Sequence, residues 1–325
     1  MTARVIPALD AGQISVAAEE AAGLLRTGGI VALPTETVYG LACDALDARA
    51  AAGVFAAKER PAFDPLIVHV EDASWIGRLS SAQGAVMAMA EKLAAEFWPG
   101  PLTMVLPARE IVPDLVRSGL PTVALRCSAH PVMSAVIKSL GRPVAAPSAN
   151  RFGRISPVTA EHVVEELGAR IPLVLDGGPC RHGLESTIVA VGGSELVLLR
   201  PGPVTREVLQ SVAPVVPGSL DSGISAPGML ASHYAPRTPL RLLDVGGDAP
   251  PDAGESGLLF FGPDGPAGFA CTESLPCGAE DAAPLFFAAL RRLDASGVRC
   301  IYAGALPESG LGLAIMDRLR RAAHG

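Results

Sequence analysis

Lys58 and Arg60 lie two residues apart in the segment KERP, where an alanine-rich stretch ends. Two cations this close together can hold one polyanion, such as a triphosphate, because charge-assisted contacts to phosphate are strong. The sequence has no G-x-x-x-x-G-K-[ST] segment, which excludes the P-loop way of binding a triphosphate. Spacing alone leaves a second interpretation equally open, since cations are also favoured at a solvated helix C-terminus.

Hydroxyl, carboxylate and amide side chains follow two apolar runs. The segment TET at 35–37 comes after the run 30–33, and the segment SAN at 148–150 comes after the run 143–147. Open α/β sheets bind ligands at the carboxyl ends of their strands, so these side chains are candidates for a binding site. For the second segment an ordinary turn is the alternative, because Ser and Asn both favour turns.

Short strands and helices must position these side chains. Residues 30–33 and 66–70 are apolar runs typical of buried strands, and residues 48–58 favour a helix that Pro61 ends. Residues 16–26 predict an amphipathic helix with Ser15 as its N-cap. Strands and helices alternate up to residue 211, but some strands lie close together. We therefore predict an α/β domain with a twisted, mixed, open sheet.

Composition changes between residues 212 and 239, which are rich in Pro, Gly and Ser and predict a linker. The pair His233-Tyr234 indicates that this linker folds back over the site, with an inert tether as the alternative. Alternation resumes afterwards and predicts a small α/β domain without a catalytic cluster, in which Cys271 and Cys277 lie in a polar loop. The predicted units are therefore a catalytic domain (1–211), a linker (212–239) and a C-terminal α/β domain (240–325).

The composition of the 325 residues excludes several classes of protein. The net charge of −7 argues against a general nucleic-acid binder. No window of about 18 uninterrupted apolar residues exists, and the first residues lack the pattern of a signal peptide, so we expect a soluble, cytoplasmic protein without membrane contact. The six cysteines include no C-x-x-C pair, which indicates reduced thiols rather than a metal site or a disulfide framework.

Several motifs carry a resemblance to a known family. PTETVYGL, K-x-R-P and PLIVHV lie between residues 34 and 70, and they are followed in order by WPGPLT, VALR, APSAN, ESTI, LLRPG and SHYAP. This ordered set covers most of residues 15–240 and resembles the YrdC/YciO family. The tail segment GLAIMDRLRRA (312–322) resembles the extra domain of the long, two-domain members of that family.

The resemblance implies an activity. It implies an L-threonylcarbamoyladenylate synthase, a nucleotidyltransferase that converts L-threonine, bicarbonate and ATP into threonylcarbamoyl-AMP, pyrophosphate and water. The product serves the t6A modification at position 37 of tRNA through a downstream tRNA threonylcarbamoyl transferase complex. ATP is then a substrate, and Mg²⁺ accompanies it to absorb the charge of the leaving pyrophosphate.

The same resemblance implies roles for individual residues. Lys58 and Arg60 are the implied catalytic cations, and no protein residue is implied as a metal ligand. The L-threonine side is implied to consist of Thr37, His69, Arg126, Ala146 and Ser186. The ATP side is implied to consist of Lys58, Arg60, Asp64, Thr122, Ser148, Ser156, Arg200 and Tyr234. Glu36 and Glu185 are open as bases or as residues that hold a loop.

Asp64 departs from the family pattern, because members commonly have Asn before the PLIVH strand. An anion beside a triphosphate is unfavourable unless Mg²⁺ or Arg60 offsets its charge. Whether Asp64 contacts ATP or coordinates the metal is therefore open.

Three other interpretations compete with the synthase. A double-stranded-RNA-binding module would need a wide basic face, which the acidic net charge opposes. A carbamoyl-transfer protein of hydrogenase maturation would carry zinc-finger and acylphosphatase-like domains, which this sequence lacks. A tail domain that merely mediates association could coexist with catalysis.

Replacing Lys58 or Arg60 by alanine is expected to reduce turnover by orders of magnitude while the fold stays intact, because the variant loses a cation that faces the leaving pyrophosphate. Pyrophosphate release measures turnover, and circular dichroism checks the fold. Near-normal rates in both variants would show that the site is assigned to the wrong residues.

Overall fold

The structure, a computed structural model, describes residues 2–218, 233–243 and 249–324. Residues 219–232 of the predicted linker lie outside the described residues. The described helices are α1 (Ala11–Arg26), α2 (Ala48–Lys58), α3 (Ile76–Leu79), α4 (Gly84–Phe97), α5 (Pro131–Leu140), α6 (Ala160–Leu167), α7 (Arg206–Gln210), α8 (Ala279–Ala295) and α9 (Leu311–Ala323).

The described strands form two sheets. Those of the larger sheet are β1 (Arg4–Pro7), β2 (Val31–Leu33), β3 (Gly40–Asp44), β4 (Ile67–His69), β5 (Leu102–Pro107), β6 (Thr122–Arg126), β7 (Val144–Ala145), β8 (Leu173–Asp176), β9 (Thr187–Val191), β10 (Leu196–Arg200) and β11 (Val215–Pro217). Those of the smaller sheet are β12 (Leu240–Leu242), β13 (Gly257–Phe261), β14 (Cys271–Leu275) and β15 (Ile301–Ala303).

The larger sheet is mixed, as the sequence predicts. Its order is β1-β8-β2-β3-β7-β4-β6-β5-β9-β10-β11. Strands β4 and β6 run parallel, with His69 opposite Arg126, whereas β7 lies antiparallel to β4 on its other side. Parallel neighbours end at the same edge of a sheet, so β4 and β6 bring His69 and Arg126 together.

Helix α2 has the predicted bounds. Asp47 caps it by accepting from the backbone N–H of Arg49 at 2.8 Å, and it ends at Lys58. The next residue, Glu59, has a left-handed φ of 54°, and Pro61 prevents further helix. This sharp turn leaves both Lys58 and Arg60 buried. Their burial excludes the solvated helix end that the spacing left open.

Helix α1 begins earlier than predicted. It starts at Ala11, and its N-cap is Asp10, whose carboxylate accepts from the N–H of Gln13 at 2.9 Å. The predicted N-cap, Ser15, is therefore wrong. The carboxylate makes the stronger cap because it bears a full negative charge at the positive end of the helix.

The smaller sheet is parallel throughout, in the order β12-β15-β13-β14. The predicted polar loop around Cys271 is wrong, because Cys271 begins strand β14. That strand alternates half-buried and exposed residues before the buried Leu275, which is typical of a sheet edge. Its polar composition concealed it in the sequence.

Helix α8, which packs on the smaller sheet, also contacts a loop of the larger sheet. A Cβ on Gly183 would lie 2.5 Å from the backbone oxygen of Ala283 and 2.6 Å from Cα of Pro284 on α8. Only glycine permits this approach, and its φ of +64° also favours glycine. Helix α8 therefore presses directly on the loop that leads into Glu185.

Within the described ranges, no helix combines the length and the apolar composition that crossing a lipid bilayer requires.

Replacing Leu25 by alanine is expected to lower the free energy of unfolding by about 2–5 kcal/mol, because the side chain is fully buried between α1 and the sheet. Val16 on the same helix is 70% exposed, so Val16→Ala is the matched control and should change stability by less than about 0.5 kcal/mol. Urea unfolding measures both variants. Equal losses of unfolding free energy in the two variants would contradict the packing of α1 through its Leu25 face.

Candidate active site

One small cavity lies where several loops and strand ends of the larger sheet meet. Its wall comprises the turn after β2, the ends of β4, β6 and β10, the segment after β7 and the loop before β9. His233 and Tyr234 also line the cavity, from the part of the predicted linker that the structure describes. The cavity is small, with a volume of about 40 Å³.

Arg126 forms the centre of one side of the cavity. Its Nη1 donates to Oγ1 of Thr37 at 2.9 Å, and its Nη2 lies 2.7 Å from Oε1 of Glu36. Both partners come from the turn after β2, where Thr35 Oγ1 also lies 2.8 Å from Thr37 Oγ1. The guanidinium is thereby fixed in orientation. A fixed guanidinium suits the two oxygens of a carboxylate.

Glu36 remains a carboxylate in this environment. Burial alone would raise the pKa of Glu36, but the Arg126 guanidinium and the Ser128 hydroxyl, which donates to Oε2, outweigh burial and lower the pKa to about 2. The backbone oxygen of Glu36 also accepts from His182 N–H at 2.8 Å. Glu36 therefore pairs with Arg126 as an ionised carboxylate.

His69 lies beside Arg126 in the sheet and is almost completely buried. Burial, reinforced by the Arg126 charge, lowers the pKa of His69 to about 3, so the imidazole is neutral near neutral pH. Its Nδ1 has no hydrogen-bond partner among the residues that the structure describes. Ala146 faces the same cavity and adds an apolar surface.

Ser186 joins the two sides of the cavity. Its Oγ lies 2.8 Å from Oγ1 of Thr103 and accepts from Nη2 of Arg200 at 3.1 Å. Arg200 Nε also donates to the backbone oxygen of Ser186 at 3.0 Å. A Cβ on Gly202 would lie 2.5 Å from the backbone nitrogen of Thr187. This close approach, which needs glycine, brings the end of β10 against the loop of Ser186.

Lys58 is only 1% exposed and lies behind the cavity wall. Its Nζ donates to the backbone oxygens of Ser148 and Asn150, so it organises the SAN loop. Burial, together with the Arg60 charge, lowers the pKa of Lys58 well below its usual value. An anionic ligand nearby would stabilise the charged ammonium.

Arg60 faces the cavity and is held by its own loop. Nε donates to the backbone oxygen of Asp64 at 2.9 Å, Nη2 donates to that of Pro65 at 2.8 Å, and Nη2 lies 2.8 Å from Oδ2 of Asp64. Burial raises the pKa of Asp64, and the Arg60 charge opposes this rise. The carboxylate on which the sequence departs from the family is therefore offset by Arg60.

Glu185 lines the cavity and connects three elements of the structure. The Ser156 hydroxyl donates to its Oε1, and Arg318 Nε donates to its Oε2 at 3.1 Å. Arg318 belongs to α9 of the C-terminal unit, and its guanidinium carbon lies 5.4 Å from the ring centroid of Tyr234. The Tyr234 ring in turn lies 4.2 Å from that of His233.

Most of the predicted site residues come together. Those that line the cavity are Thr37, Arg60, His69, Arg126, Ala146, Ser148, Ser186, Arg200 and Tyr234. Lys58, Asp64 and Ser156 lie one contact behind them. Thr122 lies at the other end of β6 from Arg126, about 13 Å along the strand, and outside the cavity.

Sequence reasoning missed Ser128, Thr103 and Arg318. Thr103 had a signal, because it is the last residue of the WPGPLT motif, whereas nothing in the sequence distinguishes Ser128 from other buried hydroxyls. Arg318 had a signal, because it lies on the same helical face as the apolar residues Ala314, Ile315 and Ala322. An arginine in an apolar stripe needs a buried partner.

Two family models match the chain. A family model described as telomere recombination matches residues 23–202, and one described as the C-terminal domain of threonylcarbamoyl-AMP synthase matches residues 204–324. Threonylcarbamoyl-AMP synthase of Pyrococcus abyssi is 40% identical over 93% of this chain and 92% of its own length. The chain belongs to the threonylcarbamoyl-AMP synthase family.

Further members of the threonylcarbamoyl-AMP synthase family match over comparable lengths. The Bacillus subtilis enzyme is 39% identical over 94% of this chain and 92% of its own length. The crystal structure of P. abyssi Sua5 complexed with L-threonine superposes with a TM-score of 0.87 and 36% identity, covering 99% of this chain and 98% of that chain. The family's fold therefore extends through both sheets.

Replacing Glu36 by glutamine is expected to cost about 3 kcal/mol of stability near neutral pH, because Arg126 loses its buried partner. The folded-state pKa of about 2 lies below the ordinary 4.5, so the contribution of Glu36 is present above pH 4.5 and is lost as the pH falls towards 2. The gap in unfolding free energy between the wild type and the variant should therefore narrow as the pH falls.

Urea unfolding at several pH values measures this gap. Glu255→Gln is the control, because Glu255 pairs with Arg299 on the surface and should matter little at any pH. A gap that does not change with pH would contradict the assignment of Glu36 as an ionised partner.

Proposed function

We propose that this chain is an L-threonylcarbamoyladenylate synthase, a nucleotidyltransferase that forms threonylcarbamoyl-AMP, pyrophosphate and water from L-threonine, bicarbonate and ATP. The observation that carries the proposal is the cavity that places Arg126, a carboxylate-binding group, next to the cations Arg60 and Arg200. A site of this kind suits an amino acid beside a polyphosphate.

The amino-acid side is proposed to hold L-threonine. Arg126 receives the carboxylate, and the hydroxyls of Thr37 and Ser186 offer hydrogen-bond partners to the polar groups of threonine. His69 and Ala146 line the remaining wall. The neutral His69 can accept a hydrogen bond from an ammonium through its unpartnered Nδ1.

The nucleotide side is proposed to hold ATP. Arg60 and Arg200 meet the phosphates directly, while Lys58 adds its charge from behind and holds the loop that presents Ser148. Lys58 and Arg60 act catalytically by absorbing the charge of the departing pyrophosphate. Asp64 keeps Arg60 in position. Together these cations offset a triphosphate that a low-dielectric cavity could not otherwise accept.

Two other residues bear on how ATP enters. Ligand pockets commonly measure about 300–1,000 Å³, so a cavity of about 40 Å³ must open before ATP binds. Tyr234, whose ring lies in the wall, is proposed to move and then close over the nucleotide. A contact between ATP and Thr122 requires the nucleotide to extend along β6 beyond the present cavity.

Ser156 completes the proposed ATP side. Its hydroxyl already donates to Glu185, so its oxygen lone pairs remain available as acceptors, and a nucleotide phosphate would require the hydroxyl to turn. Glu185 is proposed to hold this loop rather than to act as a base, because both of its carboxylate oxygens are occupied.

The chemistry requires positioning more than covalent catalysis. The threonine amine must meet bicarbonate to form a carbamate, and the carbamate must approach the α-phosphorus in line with the leaving pyrophosphate. Mg²⁺, when bound with ATP, would neutralise phosphate charge. Asp64 could contribute one carboxylate oxygen to such an ion, because Mg²⁺ takes one or two carboxylates plus phosphates. Its Oδ2 pairs with Arg60, whereas its Oδ1 has no hydrogen-bond partner among the described residues.

The wider context follows from the reaction. We propose that residues 1–211 form the catalytic domain, 212–239 the linker and 240–325 the second domain, with the linker's first residues adding strand β11 to the larger sheet beside β10. The adenylate is unstable without a consumer, so we propose transfer to tRNA position 37 by a downstream threonylcarbamoyl transferase complex in the cytoplasm. Strong direct binding of nucleic acid is not part of this proposal, given the net charge of −7.

Purified protein with L-threonine, bicarbonate, Mg²⁺ and ATP is expected to release pyrophosphate, and omission of threonine should suppress this release because the carbamate cannot form. A coupled pyrophosphate assay measures the rate. Arg126→Met is expected to raise the KM for threonine more than the KM for ATP. Pyrophosphate release that ignores threonine would refute the proposed function, and tight RNA binding without turnover would favour the RNA-binding alternative.

A further inference from the structure

Arg318 is a completely buried arginine that crosses from one unit of the protein to the other. It belongs to α9, yet Nε donates to Oε2 of Glu185 at 3.1 Å and Nη1 donates to the backbone oxygen of Pro201 at 2.6 Å. Its guanidinium carbon lies 5.4 Å from the ring centroid of Tyr234. An arginine costs several kcal/mol to bury unless its charge is compensated, so these contacts are specific.

The two segments that Arg318 holds are those that carry Ser186 and Arg200. Glu185 directly precedes Ser186, and Pro201 directly follows Arg200. Arg200 donates to the backbone oxygen and the hydroxyl of Ser186. Arg318 does not line the cavity, but it binds the two segments whose residues Ser186 and Arg200 meet in the cavity wall.

The charges of Glu185 and Arg318 both affect Arg200. The buried Glu185 carboxylate interacts electrostatically with Arg200 as well as with Arg318. In a low-dielectric interior, a Glu185 carboxylate without another cationic partner would partly neutralise the positive charge of Arg200. Arg318 pairs with Glu185, and its Nη1 also lies 3.2 Å from Oδ2 of Asp317. The pair with Arg318 offsets the Glu185 charge, which leaves more of the positive potential of Arg200 directed at the cavity.

We infer that Arg318 is a positioning residue for nucleotide binding, which acts by compensating Glu185 so that Arg200 can attract the phosphates of ATP. This inference rests on the proposed function. The C-terminal unit thereby contributes to the site through one charge, without lining the cavity itself.

A purely structural role is the alternative, and the protein contains a matched control for it. Arg291 on α8 also crosses the interface, where its Nη1 lies 3.4 Å from Oε1 of Glu166 and its Nη2 donates to the backbone oxygen of Ile155. It is largely buried, but neither Arg291 nor Glu166 lines the cavity. Loss of Arg291 should therefore weaken the interface without changing the charge near Arg200.

The experiment compares Arg318→Met, Arg291→Met, Glu185→Gln and the double variant Glu185→Gln/Arg318→Met in the full chain. Isothermal titration with a non-hydrolysable ATP analogue gives the dissociation constant, thermal unfolding gives the stability, and pyrophosphate release gives the KM for ATP and for threonine. Arg318→Met is expected to weaken binding of the analogue about tenfold or more, equivalent to about 1.4 kcal/mol, with a smaller change in the KM for threonine.

The controls separate charge from structure. Arg291→Met should lower the melting temperature and weaken binding of the analogue far less than Arg318→Met does, because its partner Glu166 interacts with Lys58 rather than with Arg200. The double variant should recover most of the lost affinity for the ATP analogue. Its uncharged glutamine at position 185 no longer neutralises the positive charge of Arg200. The inference is overturned if Arg318→Met binds the analogue as the wild type does, if Arg291→Met weakens binding equally, or if the double variant binds no better than Arg318→Met.

Two outcomes need separate treatment. If Arg318→Met does not fold, the double variant is compared with Glu185→Gln: equal affinities support the inference, and weaker binding by the double variant overturns it. If the wild type binds the analogue but releases no pyrophosphate, the proposed function fails while the binding comparison still decides the role of Arg318. A wild type that does not bind the analogue refutes both.

Discussion

The structure depends on keeping several cations out of water around one small cavity. Lys58, Arg60, Arg126 and Arg200 are all buried, and burial of an uncompensated charge costs more than any single contact in the fold can return. Each is therefore held by oxygen atoms. Arg60 and Arg126 face the carboxylates of Asp64 and Glu36, whereas Lys58 donates to backbone oxygens and Arg200 donates to Ser186.

The supports of these cations explain much of the surrounding architecture. Lys58 reaches the SAN loop because α2 ends at that residue and the chain turns through the left-handed Glu59. The turn after β2 orients Arg126, which lies at the end of β6. The strand order of the larger sheet brings this turn and β6 together. The residues that hold the cations are thus distant in sequence, and the sheet brings them together.

The C-terminal unit is part of the same electrostatic arrangement. Helix α8 presses on Gly183, and helix α9 contributes Arg318 to the buried carboxylate two residues further on. The unit's position next to the described part of the linker, at His233 and Tyr234, also gives it contact with the residues that fill the cavity.

The sequence by itself determined the local elements and the chemical character of the site. Alanine-rich composition and Pro61 fixed the bounds of α2, apolar runs located most strands, and the ordered motifs indicated which side chains belong to the site. These features are local, because propensity, capping and motif spacing act over a few residues. Strand β14 and the start of α1 escaped prediction where polar residues masked the periodicity.

Only the tertiary structure decided which side chains touch and which charges compensate each other. The sequence left Lys58 and Arg60 open between a solvated helix end and a buried pair, because burial depends on segments some 90 residues away. It placed Thr122 with the other ligands, although the length of β6 separates it from the cavity. It gave no partner for Arg318, because the contact with Glu185 spans 133 positions and exists only once both sheets have formed and packed.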